Sequence, residues 1–147
     1  MKYYLAYGSN LNKAQMAFRC PDAKPIGKTR LPKYELVFRR GFLTVEPKRG
    51  SSVPVGVWEI SDQDEKNLDR YEGCPEYYRK ENLAVTMTDL DGKNPQEITA
   101  MVYIMEDGHR LMAPWQSYYD VLAEGYERFG FNPYQLELAL KEVKEGS

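Results

Sequence analysis

Apolar and polar positions alternate through much of the middle of this chain and recur at helical spacing towards its two ends. The run Tyr3-Tyr4-Leu5-Ala6 predicts a first strand that breaks at Gly8. Leu11, Ala14, Ala17 and Phe18 then follow a helical period until Pro21 stops it. Alternation over 34–38, 42–45 and 53–60 predicts three antiparallel strands, with Pro47-Lys48-Arg49-Gly50-Ser51-Ser52 as the loop between the last two. Ser61 has the chemistry of an N-cap, and the spacing predicts a helix over 62–71 with acidic residues in its first turn. Gly73 and Pro75 end it, leaving Glu72 at its carboxyl end. Segments 77–88 and 97–105 flank Asp89-Leu90-Asp91-Gly92 and read as a hairpin. Trp115, Tyr119, Leu122, Tyr126 and Phe129 form one helical stripe. Asn132-Pro133 restarts a final helix carrying Leu136, Leu140 and Val143, with the tail beyond Lys144 expected to fray. Strands in the middle, interrupted and followed by helices, make the class α+β. Pattern alone leaves open whether the sheet curls into a small barrel.

Length and charge narrow the function classes. At 147 residues the chain fits one domain over 1–147. Twenty basic against twenty-two acidic residues leave a net charge of −2 with no long block of either sign, so neither nucleic acid nor an anionic membrane is an expected partner. The first apolar run is too short for a signal-peptide core or a membrane span, and a cytoplasmic location is expected. Two cysteines, Cys20 and Cys74, are too few for a disulfide framework. With a single histidine, His109, in a charged turn, no zinc pattern and no Ser-His-Asp set can be assembled. No metal or other cofactor is expected. Aromatic content is high at 13%, with twelve tyrosines, most of which suit the core and rim of a sheet.

Two local features carry candidate chemistry. Tyr7-Gly8-Ser9-Asn10-Leu11 joins a strand to a helix-like segment, and such a junction leaves backbone N–H groups without partners at the positive end of a helix dipole. A carboxylate fits there, although Gly, Ser and Asn are also the usual residues of a tight turn with a cap. Glu72 supplies a carboxylate at the end of the second helix, which by itself reads equally as a solvated helix-end charge. Arg39-Arg40 and Lys48-Arg49 read as surface charge, with one of them available to meet a substrate's second polar end. Gly125 and Tyr126 read as helix packing.

Taken together, Tyr7-Gly8-Ser9-Asn10-Leu11, Thr44-Val45-Glu46-Pro47 with Gly50, Val53 and Gly56, and Leu68-Asp69-Arg70-Tyr71-Glu72-Gly73 with Tyr78-Arg79 resemble the gamma-glutamylcyclotransferase-like family. The resemblance runs from about Lys2 to about Tyr126. It implies a small mixed β-barrel with surrounding helices, and conversion of a gamma-glutamyl amine or amino acid to 5-oxoproline with release of the amine. It also implies a substrate-binding loop at Tyr7, Gly8, Ser9, Asn10 and Leu11, a catalytic carboxylate at Glu72, and pocket tyrosines at Tyr78 and Tyr118. Tyr119 adjoins Tyr118 and competes with it for that place.

The residue types suit that chemistry. The substrate's α-amine attacks its own γ-carbonyl, so holding a near-attack conformer is the first task, and such alignment is worth roughly 7–11 kcal/mol. Removing a proton from the α-ammonium is the second, with Glu72 as the base. A reference Glu near 4.3 faces an amine near 7.8, a gap of about 3.5 pH units or roughly 5 kcal/mol. An elevated Glu72 pKa is therefore expected, from burial among Tyr71, Tyr77 and Tyr78 and from the negative helix end. Ser9, with no base beside it in sequence, reads as a hydrogen-bonding member of the loop rather than a nucleophile. Two other readings stay open: a non-catalytic module binding a carboxylate-bearing or gamma-glutamyl metabolite, and a hydrolase opening a gamma-glutamyl bond with water. Oligomeric state is also open.

Overall fold

A computed structural model describes residues 1–145. Five strands form one mixed sheet in the order β2-β3-β1-β5-β4: β1 Lys2–Ala6, β2 Lys24–Arg39, β3 Phe42–Ile60, β4 Tyr78–Met87 and β5 Gln96–Met105. Four α-helices accompany it, α1 Lys13–Arg19, α2 Asp62–Glu72, α3 Gln116–Phe129 and α4 Tyr134–Glu145, so the class is α+β. The short central strand β1 runs antiparallel to β3, with Lys2 opposite Ile60 and Ala6 opposite Gly56. It runs parallel to β5 through Tyr4 and Met101. Its Leu5 and Ala6 are fully buried, as a strand with neighbours on both sides and covered faces should be.

The barrel implied by the resemblance is a strongly curled sheet that is not closed into a barrel. Its edge strands approach where Lys28 and Thr88 exchange backbone hydrogen bonds of 3.0 and 2.9 Å, and no ladder continues from that pair. The approach needs a glycine next door, because a Cβ on Gly27 would lie 2.3 Å from the Thr88 carbonyl oxygen.

The long β2–β3 hairpin corrects the sequence reading twice. Residues 47–52, read as a loop, continue β3, with Pro47 opposite Tyr34 and Ser52 opposite Pro32. The prolines fit because β1 reaches only Gly56–Ile60, so over Pro47 and Pro54 β3 has a neighbour on one side alone. β2 begins ten residues before the expected strand at 34. Its alternation is broken by register shifts at Pro25/Gly27 and Pro32/Tyr34, with Lys33 at φ 67°.

The first helix is also out of phase with its expected stripe. A single 3-10 turn, Ser9–Leu11, comes before α1, and Asn12 caps α1 by accepting from the Gln15 amide at 3.2 Å. That break turns Met16 inward and leaves Phe18 90% exposed. Trp115 likewise stands outside the α3 stripe at 81% exposure, as the residue before the helix, while Leu122, Tyr126 and Phe129 are buried. Leu136 and Val143 of α4 face the core, with Leu140 packed against it. α4 extends to Glu145; the remainder of the tail expected to fray lies outside the described residues. No helix among the described residues is long and apolar enough to cross a membrane.

Candidate active site

Helix α2 starts with a capping box, in which Ser61 Oγ accepts from the Asp64 amide and the Asp64 carboxylate accepts from the Ser61 amide, each at 3.1 Å. It stops because Gly73 takes the left-handed conformation at φ 66°. The Cys74 amide then bonds back to the Asp69 carbonyl at 2.9 Å and the Gly73 amide to Arg70 at 3.3 Å, a Schellman ending. One turn before Glu72, Asp69 accepts from Lys80 Nζ at 2.9 Å and from the Tyr103 hydroxyl at 2.5 Å, which docks the end of α2 onto β4 and β5. Glu72 is thus held at the last helical position, lining a cavity of about 370 Å³.

The cavity wall is assembled from every part of the fold. β1 and its following turn supply Tyr4, Tyr7, Gly8, Ser9 and Asn10; the β2–β3 hairpin supplies Arg40, Phe42 and Leu43. The remaining wall comes from Arg70, Tyr71, Glu72 and Gly73 at the end of α2, with Tyr77, Tyr78, Tyr103 and Tyr118. Of the expected site residues, Glu72, Tyr7, Gly8, Ser9, Asn10, Tyr78 and Tyr118 come together here. Leu11 does not line the cavity; it is fully buried in the core beneath the turn, 2.8 Å from where a Cβ on Gly56 would sit. Tyr118 lines the wall, whereas Tyr119 does not and lies tilted against Phe38, ring centres 6.2 Å apart.

The turn after β1 is pinned from several sides. Asn10 Nδ2 donates to the Tyr4 hydroxyl at 2.9 Å, and its Oδ1 accepts from Arg19 at 2.7 Å. Arg19 lies 3.6 Å above the Tyr71 ring and donates its other nitrogen to Gln15 at 2.5 Å, while Ser9 Oγ and the Tyr71 hydroxyl lie 3.1 Å apart. Behind the turn, the Tyr7 hydroxyl donates to the Tyr103 carbonyl at 2.6 Å and Tyr126 donates to the Tyr7 carbonyl at 2.8 Å. The Ser9 and Asn10 side chains are therefore occupied with holding the loop. What the loop can offer a ligand is its backbone at the start of a helical turn.

Burial pushes the Glu72 carboxyl up to about 7, against the opposing pull of Arg19 and Arg40. Neither guanidinium forms an ion pair with it among the described residues. Burial, with the Glu72 charge adding to it, also holds the hydroxyls of Tyr4, Tyr7 and Tyr78 well above their usual range, so they stay protonated donors. A protonatable carboxyl near neutrality in a cavity of hydroxyls can take up and return a proton. Among the described residues no three His, Cys, Asp or Glu side chains cluster as a metal site. A wider opening of about 880 Å³ lies between the two edges of the curled sheet, lined by Lys28, Thr86 and Thr99 among others. The candidate site is the smaller cavity, because the group with a strongly displaced pKa, Arg40, Arg70 and the loop meet there.

Of Arg39, Arg40, Lys48 and Arg49, read as surface charge with one available to meet the substrate, Arg40 is the one that lines the cavity. It is the first central residue of the two-residue turn between β2 and β3, at φ 57° with Gly41 at φ 82°, and this turn aims it into the cavity. The available signal was the tight spacing of Phe38 and Phe42 around Arg39-Arg40-Gly41. Its neighbour Arg39 is the surface charge of the pair, bonded to Glu46 and to the His109 carbonyl.

The family model for "Gamma-glutamyl cyclotransferase, AIG2-like" matches residues 4–126. A solved structure named gamma-glutamyl cyclotransferase is 25% identical with a TM-score of 0.77, over 93% of this chain and 85% of that one. An uncharacterized protein from Homo sapiens is 26% identical with a TM-score of 0.75 over the same shares. YkqA from Bacillus subtilis shares the fold at 20% identity and a TM-score of 0.72, over 97% of this chain and 54% of that one. No curated protein matches. With the family model spanning the strand, the loop, α2 and most of α3, the chain belongs to the gamma-glutamyl cyclotransferase, AIG2-like family.

Proposed function

We propose that this chain cyclises a gamma-glutamyl amine or amino acid to 5-oxoproline and releases the amine, with no cofactor. The observation that carries the reading is the Glu72 carboxyl, raised to about 7 in a 370 Å³ cavity that it shares with the loop after β1. The volume suits a small metabolite. Backbone amides around Gly8, Ser9 and Asn10 hold the substrate's α-carboxylate and bend the glutamyl chain so that its amine faces its γ-carbonyl. Leu11 supports that loop from the core. Tyr78 and Tyr118 line the wall, and the Tyr118 hydroxyl hydrogen, which has no acceptor among the described residues, donates to the substrate.

Glu72 takes a proton from the α-ammonium. The freed amine attacks the γ-carbonyl carbon and a new C–N bond closes the five-membered ring. The original γ-amide C–N bond breaks as Glu72 returns the first proton to the leaving nitrogen, and the second proton that the ring nitrogen sheds passes through Glu72 to the released amine, which departs as an ammonium ion. A base near 7 facing an amine near 7.8 leaves a proton transfer uphill by only about 1 kcal/mol, against roughly 5 kcal/mol for a reference Glu. That difference is the energetic case for a buried carboxyl at this position.

The test is an assay of the purified protein and Glu72→Gln against gamma-glutamyl amines and amino acids, following 5-oxoproline by mass spectrometry. Product from the native chain and none from an equally folded variant supports both reaction and base. Free glutamate would identify a hydrolase, and binding without either product a metabolite-binding module.

A further inference from the structure

We propose that Arg40 forms an anion subsite at the cavity rim and selects substrates whose departing amine carries a carboxylate. This rests on the cyclisation reading above and deepens it.

Four of the nine guanidiniums are bonded internally, and Arg49, Arg70, Arg110 and Arg128 stand exposed. Arg19 bonds Asn10 and Gln15, Arg30 bonds Ser52 and Gln135, Arg39 bonds Glu46 and the His109 carbonyl, and Arg79 bonds Glu81 and the Met105 carbonyl. Arg40 differs. Among the described residues its guanidinium has neither an ion pair nor a hydrogen bond, and its Nε is buried with no partner. Nε is covered by the protein, whereas the two terminal Nη nitrogens, unpartnered among the described residues, keep accessible surface, so an acceptor can be supplied at that end of the guanidinium.

The open donor is also held in place. The hairpin turn fixes its backbone, and its amide donates to the Arg110 carbonyl at 3.1 Å. The guanidinium carbon lies 4.3 Å from the Tyr77 ring centre and 5.2 Å from that of Phe42, and Phe42 meets Tyr118 edge-on at 5.3 Å. Aromatic faces attract the cation without using its hydrogen-bonding edge, so the fork remains free for a planar, bidentate partner such as a carboxylate.

Position decides which carboxylate. Ser9 and Asn10 are 7% and 2% exposed, whereas the two rings that hold Arg40 are 42% and 46% exposed. The loop is the deep end of the cavity and Arg40 the rim. The substrate's α-carboxylate belongs with the loop, and the part that leaves to solvent lies towards the rim. A positive charge there also opposes the burial that raises the Glu72 pKa. A bound carboxylate on Arg40 would cancel that opposition at the moment the base is needed.

The experiment compares gamma-glutamyl-alanine with gamma-glutamyl-isopropylamine, which replaces only the departing carboxylate by a methyl group. The expected native kcat/KM ratio favours the carboxylate substrate by roughly tenfold or more, and Arg40→Gln brings the ratio close to one. Arg40→Lys, which keeps the charge and loses the fork, gives a ratio in between. A native ratio near one, or a ratio that Arg40→Gln leaves unchanged, overturns the proposal. The Kd ratio of the same two compounds for Glu72→Gln, with and without Arg40→Gln, is measured by calorimetry and reads the subsite without turnover. If the native protein forms no 5-oxoproline from either compound, the cyclisation reading fails and the Kd ratios alone decide Arg40.

Discussion

The hydroxyl of Tyr118 accepts a hydrogen bond from the Leu43 amide at 3.2 Å, and Tyr78 donates to the carbonyl of the same residue at 2.9 Å. Both backbone groups of Leu43, which is 2% exposed, are therefore satisfied by side chains from α3 and β4. This clamp ties the start of β3 to the opposite wall of the cavity. Among the described residues it also leaves the hydroxyl hydrogen of Tyr118 without an acceptor, free to point inward.

Tyr118→Phe removes the acceptor for a buried N–H and should cost roughly 1–2 kcal/mol of stability, along with a loss in kcat/KM. Tyr119→Phe should change both little, since Tyr119 contributes its ring against Phe38. Urea unfolding and steady-state kinetics on the two variants separate them. Equal effects on activity would remove Tyr118 from the site.

The acid–base role of Glu72 predicts a pH–rate profile whose ascending limb lies near 7, because only the ionised carboxylate accepts the proton. Arg40→Gln removes one of the two charges that lower this pKa, so its limb should move to higher pH. Rates measured from pH 5 to 9 provide the check. A limb near the reference value of about 4.3 would sink the assignment of a buried base.

Much of this arrangement was legible in the sequence because it is local. Ser61, Gly73 and Pro75 bound α2 and so put Glu72 at its end, and Gly8-Ser9-Asn10 marks the break after β1. What was not legible depends on partners distant in the chain. Pro47 looks like a loop residue until β1 proves too short to flank it, and Phe18 fits an apolar stripe until the 3-10 turn at Ser9–Leu11 shifts the phase of α1. Arg40 looks like surface charge because its position is set by a hairpin turn and by Tyr77, thirty-seven residues further on. Leu11 belongs to the motif by sequence, and the structure gives it the role of a core support.

Gly125 offers a test of how α3 sets the loop. A Cβ there would lie 2.9 Å from the Asn12 amide nitrogen and 2.9 Å from the Leu11 Cβ, so the helix sits directly on the turn that follows β1. Gly125→Ala should destabilise the fold by about 1–3 kcal/mol through overpacking against backbone, and should raise KM because relief requires moving residues 11–12. Thermal unfolding and kinetics measure both. A variant with native KM and lowered stability would show the loop to be insulated from the helix.

The pKa of Glu72 is also a statement about stability. Its folded value of about 7 lies above the 4.5 of an unperturbed Glu, so between those values the folded state binds more protons than the unfolded one. Stability from this group is therefore fully present below about pH 4.5, falls as pH rises through about 7, and is flat beyond. A gap of about 2.5 pH units at 1.36 kcal/mol each sets an upper bound near 3 kcal/mol, reduced by the solvent that reaches this half-buried residue. Glu72→Gln removes the titration and keeps the shape. It should be more stable than the native chain at pH 8, by about 1–3 kcal/mol, with the difference shrinking towards pH 5. Urea midpoints at the two pH values read this directly, with the other carboxylates cancelling in the comparison. A native–variant difference that is the same at pH 5 and pH 8 would mean that Glu72 titrates like a solvated carboxylate, and the burial that makes it a base near neutrality would be lost with it.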